Sequence, residues 1–301
     1  MSRMGASLAV LTLTLTALAG QAHAVGPGDK DVARLVSFGG MCVSCELSGR
    51  KLTGAKFTGA NFGRAILIGA DLRGAAFYGS NFASADLTRA DMRGAEMRGA
   101  NFVGANFTDA RLSGVESSGA NLTNANLTRA DFSSSELHGA NMVGANLSKA
   151  NFSNAELTGS NLISVNARGA DFHNAELNAA NLTGARFEHV NLRNAELNGA
   201  TLRGAIFHGA DLRGADLHGA VLGGADLSSA RGLDQDQLDE ACGDSSTRLP
   251  RGLTVRSCHG DRRHIRVVVD FERAQADAHR AAQAAIPKPP KPPAPPKPPK
   301  Y

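Results

Sequence analysis

The chain has no tryptophan and only two tyrosines, and aromatic residues make up 5% of its 301 positions. That scarcity excludes a core built on large rings, the usual arrangement in a packed enzyme domain. Apolar residues still reach 42%, mostly as small alanines, which is too many for a disordered chain. Glycine, at 34 residues, does not recur at every third position, so a collagen-like rod is excluded. Long hydrophobic runs are also missing. The apolar stretch Leu8–Gly20 spans about 13 residues, short of the ~20 that cross a bilayer. No charge sign dominates, with 32 Lys+Arg against 28 Asp+Glu. A repeat architecture remains.

The first 24 residues read as an export signal. Arg3 supplies the positive start, Leu8–Gly20 the apolar segment, and Ala22-His23-Ala24 the small-x-small cleavage site. Cleavage is expected between Ala24 and Val25, giving a periplasmic or secreted chain with no transmembrane segment. No cysteine follows the site, which argues against a lipid anchor.

From Cys45 to Ser229 one register of five runs without insertion. Of the 37 positions 47, 52, 57 and onward to 227, 35 hold Leu, Phe or Met, the exceptions being Ser117 and Ala167. Two residues earlier, Ala fills 29 of 37 positions. Between them stands Asp, Asn or Glu as a rule, and Gly is common two residues after the large one. A period of five matches neither helix nor strand. It suits a chain that turns a corner every five residues, the large and small residues pointing inward and the other three facing water.

A second period gives the size of one coil. Asn61, Asn81, Asn101, Asn121, Asn141, Asn161 and Asn181 stand 20 apart, as do Glu96, Glu116, Glu136, Glu156, Glu176 and Glu196, followed by Asp216. Phe62, Phe82 and Phe102 form another series, and Phe132, Phe152 and Phe172 a third. Four repeats per coil would stack equivalent residues about 4.8 Å apart, so that Asn side chains can hydrogen-bond along a ladder.

The A-[D/N]-[L/F]-x-x pattern, seen in Ala120-Asn121-Leu122-Thr123-Asn124, resembles the pentapeptide repeat family over residues 45–229. The resemblance implies an all-β fold, a right-handed quadrilateral β-helix of about nine coils. At ~4.8 Å per coil the rod is roughly 44 Å long, and its ends need caps. The expected division is leader 1–24, N-terminal cap 25–44, β-helix 45–229, C-terminal cap 230–260, a strand and helix extension 261–286 and a Pro/Lys tail 287–301. Residues 29–37 suggest a short helix over the first coil. At the other end Asp234 and Gln237 form a capping-box pattern opening a helix through Ala241, with Gly243 as its stop. The stretch 232–258 resembles the C-terminal cap of some exported proteobacterial pentapeptide-repeat proteins.

The four cysteines lie at the two ends of the rod. A disulfide needs Cα atoms within about 7 Å, so the end-to-end pairings fail. Cys242–Cys258 is the expected bond, favoured by export. For Cys42 and Cys45, pairing and free thiols both stay open, and Cys45 occupies an inward alanine position. C-x-x-C here lacks the βαβ setting of thioredoxin, and Glu46 stands where a haem motif needs His. A four-cysteine zinc site fails on distance. No nucleophile elbow or phosphate loop appears, and the nine His show no metal spacing. No catalytic residue, metal or cofactor is expected.

The Glu series 96–196 is a candidate acidic interaction stripe for a basic partner or divalent ions. Like charges at that spacing repel, although Arg93, Arg98 and Arg193 stand near. The tail holds nine Pro and four Lys in residues 287–301, a polyproline-II segment of about 45 Å at ~3.1 Å per residue. Residues 45–229 carry 16 Lys+Arg and 17 Asp+Glu, whereas residues 230–301 carry 13 and 9, so the basic character belongs to the C-terminal part. The reading expected first is an exported, non-catalytic scaffold with an unidentified protein or cell-wall partner and no nucleic acid. A second, implied by the family resemblance, is a DNA mimic protecting topoisomerases, for which a near-neutral rod is a poor fit. A third places an enzyme or enzyme activator in residues 244–286.

Overall fold

The computed structural model describes residues 39–258. The expected leader with its Ala24–Val25 cleavage site, the helix at 29–37, the 261–286 extension and the tail lie outside those residues.

The repeats share one main-chain hydrogen-bond plan, and the repeat starting at Asn61 shows it in full. The first residue, Asn61, donates its N–H to Gly40 O on the preceding coil, at 2.9 Å. The second, Phe62, donates to Asn81 O on the next coil at 2.7 Å, and the fourth, Arg64, to Ala83 O at 2.9 Å. The fifth, Ala65, closes a turn onto Phe62 O at 2.9 Å. Only the third N–H, on Gly63, lacks a main-chain partner, and the Asn61 Oδ1 accepts it at 3.0 Å. Asp and Asn therefore recur at the first position because their short side chains reach the N–H two residues on, an Asx turn. With that bond, all five donors are satisfied.

Parallel bridges join each residue at a first position to its counterpart 20 residues on. One circuit runs Asn61↔Asn81, Ile66↔Asp86, Asp71↔Asp91 and Ala76↔Glu96. The chain is thus a β-helical solenoid with four bridges per coil. Its second and fifth residues point inward and are almost fully buried from Phe57 to Leu227. The phenylalanines stack along the interior, with ring centroids 4.7 Å apart for Phe62–Phe82 and 5.0 Å for Phe152–Phe172. Phe57–Phe62 and Phe77–Phe82 meet edge to face at 5.0 and 5.1 Å. The rings form two stacked groups, Phe57 to Phe107 and Phe132 to Phe207.

The fourth residue sits in the left-handed region at corner after corner. Glycine takes it most often, yet Arg64, Ser84, Asn124, Ala179 and His189 adopt φ between 55° and 58° as well.

The C-terminal end differs from expectation at one point. Helix α1 (Gln235–Asp239) opens with the capping box, Asp234 accepting from the Gln237 N–H and Gln237 accepting from the Asp234 N–H. It stops at Asp239 rather than at Ala241, and Gly243 is not its stop. Strand β1 (Cys242–Gly243) pairs in parallel with β2 (Arg256–Ser257). The reason is the ladder. Cys242 bridges Val221, Leu222 N–H bonds Cys242 O at 2.7 Å, and Arg248 bridges Asp226. Two sides of the solenoid therefore continue past the last regular repeat, and the ladder pulls Cys242 out of helical geometry. Leu238 and Ala241 are fully buried against the last coils. Gln237 Nε2 donates to Leu212 O at 2.9 Å and Ala215 O at 2.6 Å, two carbonyls at the end of the ladder.

Candidate interaction faces

The four bridge series place four different chemistries on the four sides. The asparagine side runs Asn61 to Asn181. Its side chains bond along the ladder at Asn61–Asn81–Asn101, both at 3.0 Å. From Asn121 onward on this side, Asn oxygens bond within their own repeat instead, as in the Thr123 N–H and hydroxyl to Asn121 Oδ1 at 3.1 and 2.6 Å. The expected Asn ladder thus spans only part of the series.

The continuous polar chain lies on the next side. Asn106, Asn126 and Asn146 each donate to the threonine of the coil before, at Thr88, Thr108 and Thr128, over 2.8 to 3.0 Å. Each threonine in turn donates to the first-position oxygen of its own repeat, Asp86, Asn106 and Asn126, over 2.5 to 2.6 Å.

The third side carries aspartate–arginine forks two residues apart. Asp71 is gripped by Arg73 and Asp91 by Arg93, each with a 2.7 Å ion pair, and Asp211 by Arg213. The Arg73 guanidinium holds the Asp71 carboxyl at about 2, and Arg213 does the same for Asp211. The recurring Asp-[Leu/Met]-Arg triplet was the sequence signal for these forks.

The fourth side carries Glu96, Glu116, Glu136, Glu156, Glu176 and Glu196, each bridged to the next, and then Asp216. Glu136, Glu176 and Glu196 are exposed and the others half-buried. Unlike Glu46 on another side, which accepts from the Ser48 N–H at 2.8 Å, none of these six folds back onto its corner N–H. The acid projects instead, and every second one meets a partner on the coil before it. Glu116 pairs with Arg98, Glu156 with His138 at 2.8 Å, and Glu196 accepts from Asn178 at 2.8 Å. The carboxylates of Glu96, Glu136 and Glu176 have no ion pair or hydrogen bond among the described residues. Tyr78, Ser118 and Thr158 stand at the corresponding places before them. The 40-residue alternation is readable in the sequence, but only once residues 18 apart are known to touch. Of the arginines flagged beside the stripe, Arg98 joins it, whereas Arg93 belongs to an aspartate fork.

The cysteines form two disulfides. Cys242–Cys258 has Cα atoms 4.9 Å apart and ties β1 to the end of β2. Cys42–Cys45 has Cα atoms 5.2 Å apart and lies at the first described coil. Among the described residues no group of three or more His, Cys, Asp or Glu is arranged to hold a metal ion. No helix among them is long and apolar enough to cross a membrane. Asp244, at the C-terminal loop, accepts from the Ser246 hydroxyl and main chain and is held at about 2, a turn-forming role.

A family model described as pentapeptide repeats matches residues 45–82, 77–114, 118–154, 155–194 and 195–231. Similar solved structures include HetL, a pentapeptide repeat protein involved in heterocyst differentiation regulation from the cyanobacterium Nostoc sp. strain PCC 7120. It shows 29% identity over 74% of this chain and 100% of that one, with a TM-score of 0.47. QnrB1, a plasmid-mediated fluoroquinolone resistance protein, shows 20% identity over 75% of this chain and 95% of its own, with a TM-score of 0.35. A pentapeptide repeat protein of the Arabidopsis thaliana thylakoid lumen shows 31% identity over 40% of this chain and 69% of its own, with a TM-score of 0.17. No curated protein matches the chain in sequence.

Proposed function

The chain belongs to the pentapeptide repeat family, a right-handed β-helix solenoid, and from that premise we propose that it is an exported, non-catalytic scaffold of the bacterial cell envelope that binds a partner along one flat side. In this reading the solenoid is a quadrilateral rod of about nine coils. Helix α1 and the Cys242–Cys258 loop close its C-terminal end, and the leader ending at Ala24 sends it out of the cytoplasm.

One observation carries the proposal. On the glutamate side, six consecutive coils replace the Asx-turn residue with Glu. That replacement gives up the corner hydrogen bond made on the other sides and stacks like charges. Such a hydrogen bond contributes on the order of 1 kcal/mol, and close like charges oppose stacking. Fold stability alone would favour Asn or Asp there, so a face retained at this cost is best explained by recognition of a basic surface.

The DNA-mimic reading has no matching observation. The repeats carry 16 basic and 17 acidic residues, and the Asp–Arg forks cancel charge on the third side. Mimicry of a polyanion needs a strongly negative surface.

Affinity capture with the full chain from envelope extract tests the proposal. Saturable retention of an envelope component, weakened in E96Q/E136Q/E176Q, is the expected result. Equal retention by that variant, or none above background, would count against it. In a supercoiling assay the purified chain is expected to leave gyrase unaffected.

A further inference from the structure

We propose that the glutamate side is the docking track for the chain's own Pro/Lys tail, residues 287–301, bound in cis. This goes beyond the scaffold reading, because it assigns the track a resident occupant that an outside basic partner must displace.

Four arguments converge. The first is charge. The tail has four lysines and no acid, and Glu96, Glu136 and Glu176 form a run of acids without partners among the described residues. The other three sides offer no such run, since the asparagine and Asn/Thr ladders are largely neutral, and on the aspartate side Asp71, Asp91 and Asp211 are gripped by arginines while Asp131 and Asp171 accept from Asn151 and Asn191.

The second is spacing. Lys288, Lys291, Lys297 and Lys300 lie three or six residues apart, with Ala294 in the vacant place. A polyproline-II segment turns once in three residues and rises ~9.3 Å per turn, so lysines at this spacing would share one side. The unpartnered glutamates stand two coils apart, ~9.6 Å at the strand spacing. Glu96, Glu136, Glu176 and Asp216 thus repeat at nearly the same pitch as Lys288, Lys291, Ala294 and Lys297, or as Lys291, Ala294, Lys297 and Lys300. Three lysines fall opposite acids in either register, and the mismatch over the whole track is about 1 Å.

The third is shape. The corner residues flanking the ladder are Gly99, Gly119, Gly139, Gly159, Ala179 and Gly199, none larger than a methyl, and the bulky neighbours Arg98 and His138 are turned to Glu116 and Glu156 rather than to the unpartnered acids. The fourth is reach. The ladder ends at Asp216, close to the C-terminal end of the solenoid, and 28 residues separate Cys258 from the tail. At ~3.3 Å per residue their contour is at most about 92 Å, against a track of roughly 29 Å.

Zero-length carbodiimide cross-linking of the full chain at low salt, read by peptide mass spectrometry, tests the proposal. The expected products join tail lysines to Glu96, Glu136, Glu176 and Asp216. Their yield should be independent of protein concentration and fall several-fold in high salt, as an exposed charge contact requires. The E96Q/E136Q/E176Q variant should lose these links, and K288Q/K291Q/K297Q/K300Q should lose them without touching the rod. Tail links absent, or spread evenly over Asp131, Asp171 and the glutamates, would overturn the track. Yield that rises with concentration would overturn docking in cis. The readout involves no envelope component, so its failure is distinct from failure of the scaffold reading.

Discussion

At the scale of the residue, the repeat is explained by its third N–H. The ladder satisfies four of five donors in a regular repeat, and an Asn or Asp at the first position takes the fifth. That is why Asn61, Asp86 and Asn106 are short acceptors. One inward position and one corner break the pattern. The Ser117 hydroxyl is fully buried without a partner, between Met97 and Leu137 in its column. S117L should fill the gap and remove the orphan donor, raising stability by roughly 1–3 kcal/mol in denaturant unfolding. Ala179 holds φ at 56°, a conformation that costs an L-residue about 1–2 kcal/mol. A179G should therefore stabilise by about 1 kcal/mol in the same assay. A loss in either case would refute the corresponding reading of the corner or the core.

The inward columns, the coil length and the stripe positions were legible in the sequence, because each is a period. The corner hydrogen bond was not, since Asp71 and Asn61 look like any surface polar residue until the N–H of Arg73 or Gly63 is traced. Nor was the pairing of alternate glutamates. Contacts 18 residues apart follow from coil pitch, which a single repeat does not display.

At the scale of the element, the C-terminal closure shows two signals in competition. Asp234 and Gln237 start α1 as the capping box requires, but Gly243 does not end it. Cys242 is claimed by the ladder through Ala220 and Leu222 before the helix reaches it. Helical propensity at 240–242 yields to two main-chain bonds and the burial of Ala241. The side chain of Gln237 substitutes for the missing next coil at two carbonyls. Q237A should cost about 1–2 kcal/mol and raise hydrogen exchange first in the coil of residues 212–231. The Cys242–Cys258 bond closes a loop 16 residues apart in sequence. Its removal should cost about 3 kcal/mol on the loop-entropy scale, with exchange rising at 242–258 before the central coils.

At the scale of the whole molecule, the rod has four sides of unlike chemistry on one uniform backbone. Its carboxylates also set its response to acid. Asp71, Asp211 and Asp244 are held at about 2 by hydrogen bonds from Arg73, Arg213 and Ser246. For Asp226, burial pushes the value up, and bonds from Ser228 and His208 more than offset it, leaving about 2. These folded values lie below the unfolded value near 3.9, so the stabilisation is complete above it and is lost as pH falls from about 4 towards 2. Melting temperature is expected to be flat from pH 5 to 7 and to drop across that acid window. A melting temperature that stays flat through that acid window would contradict this role of the carboxylates.

The most direct test of the account is the intact mass of the expressed chain in periplasmic and cytoplasmic fractions, after alkylation without reduction. An exported rod with closed ends predicts a periplasmic species beginning at Val25 with all four cysteines protected. An uncleaved cytoplasmic species carrying four alkylated thiols would contradict it.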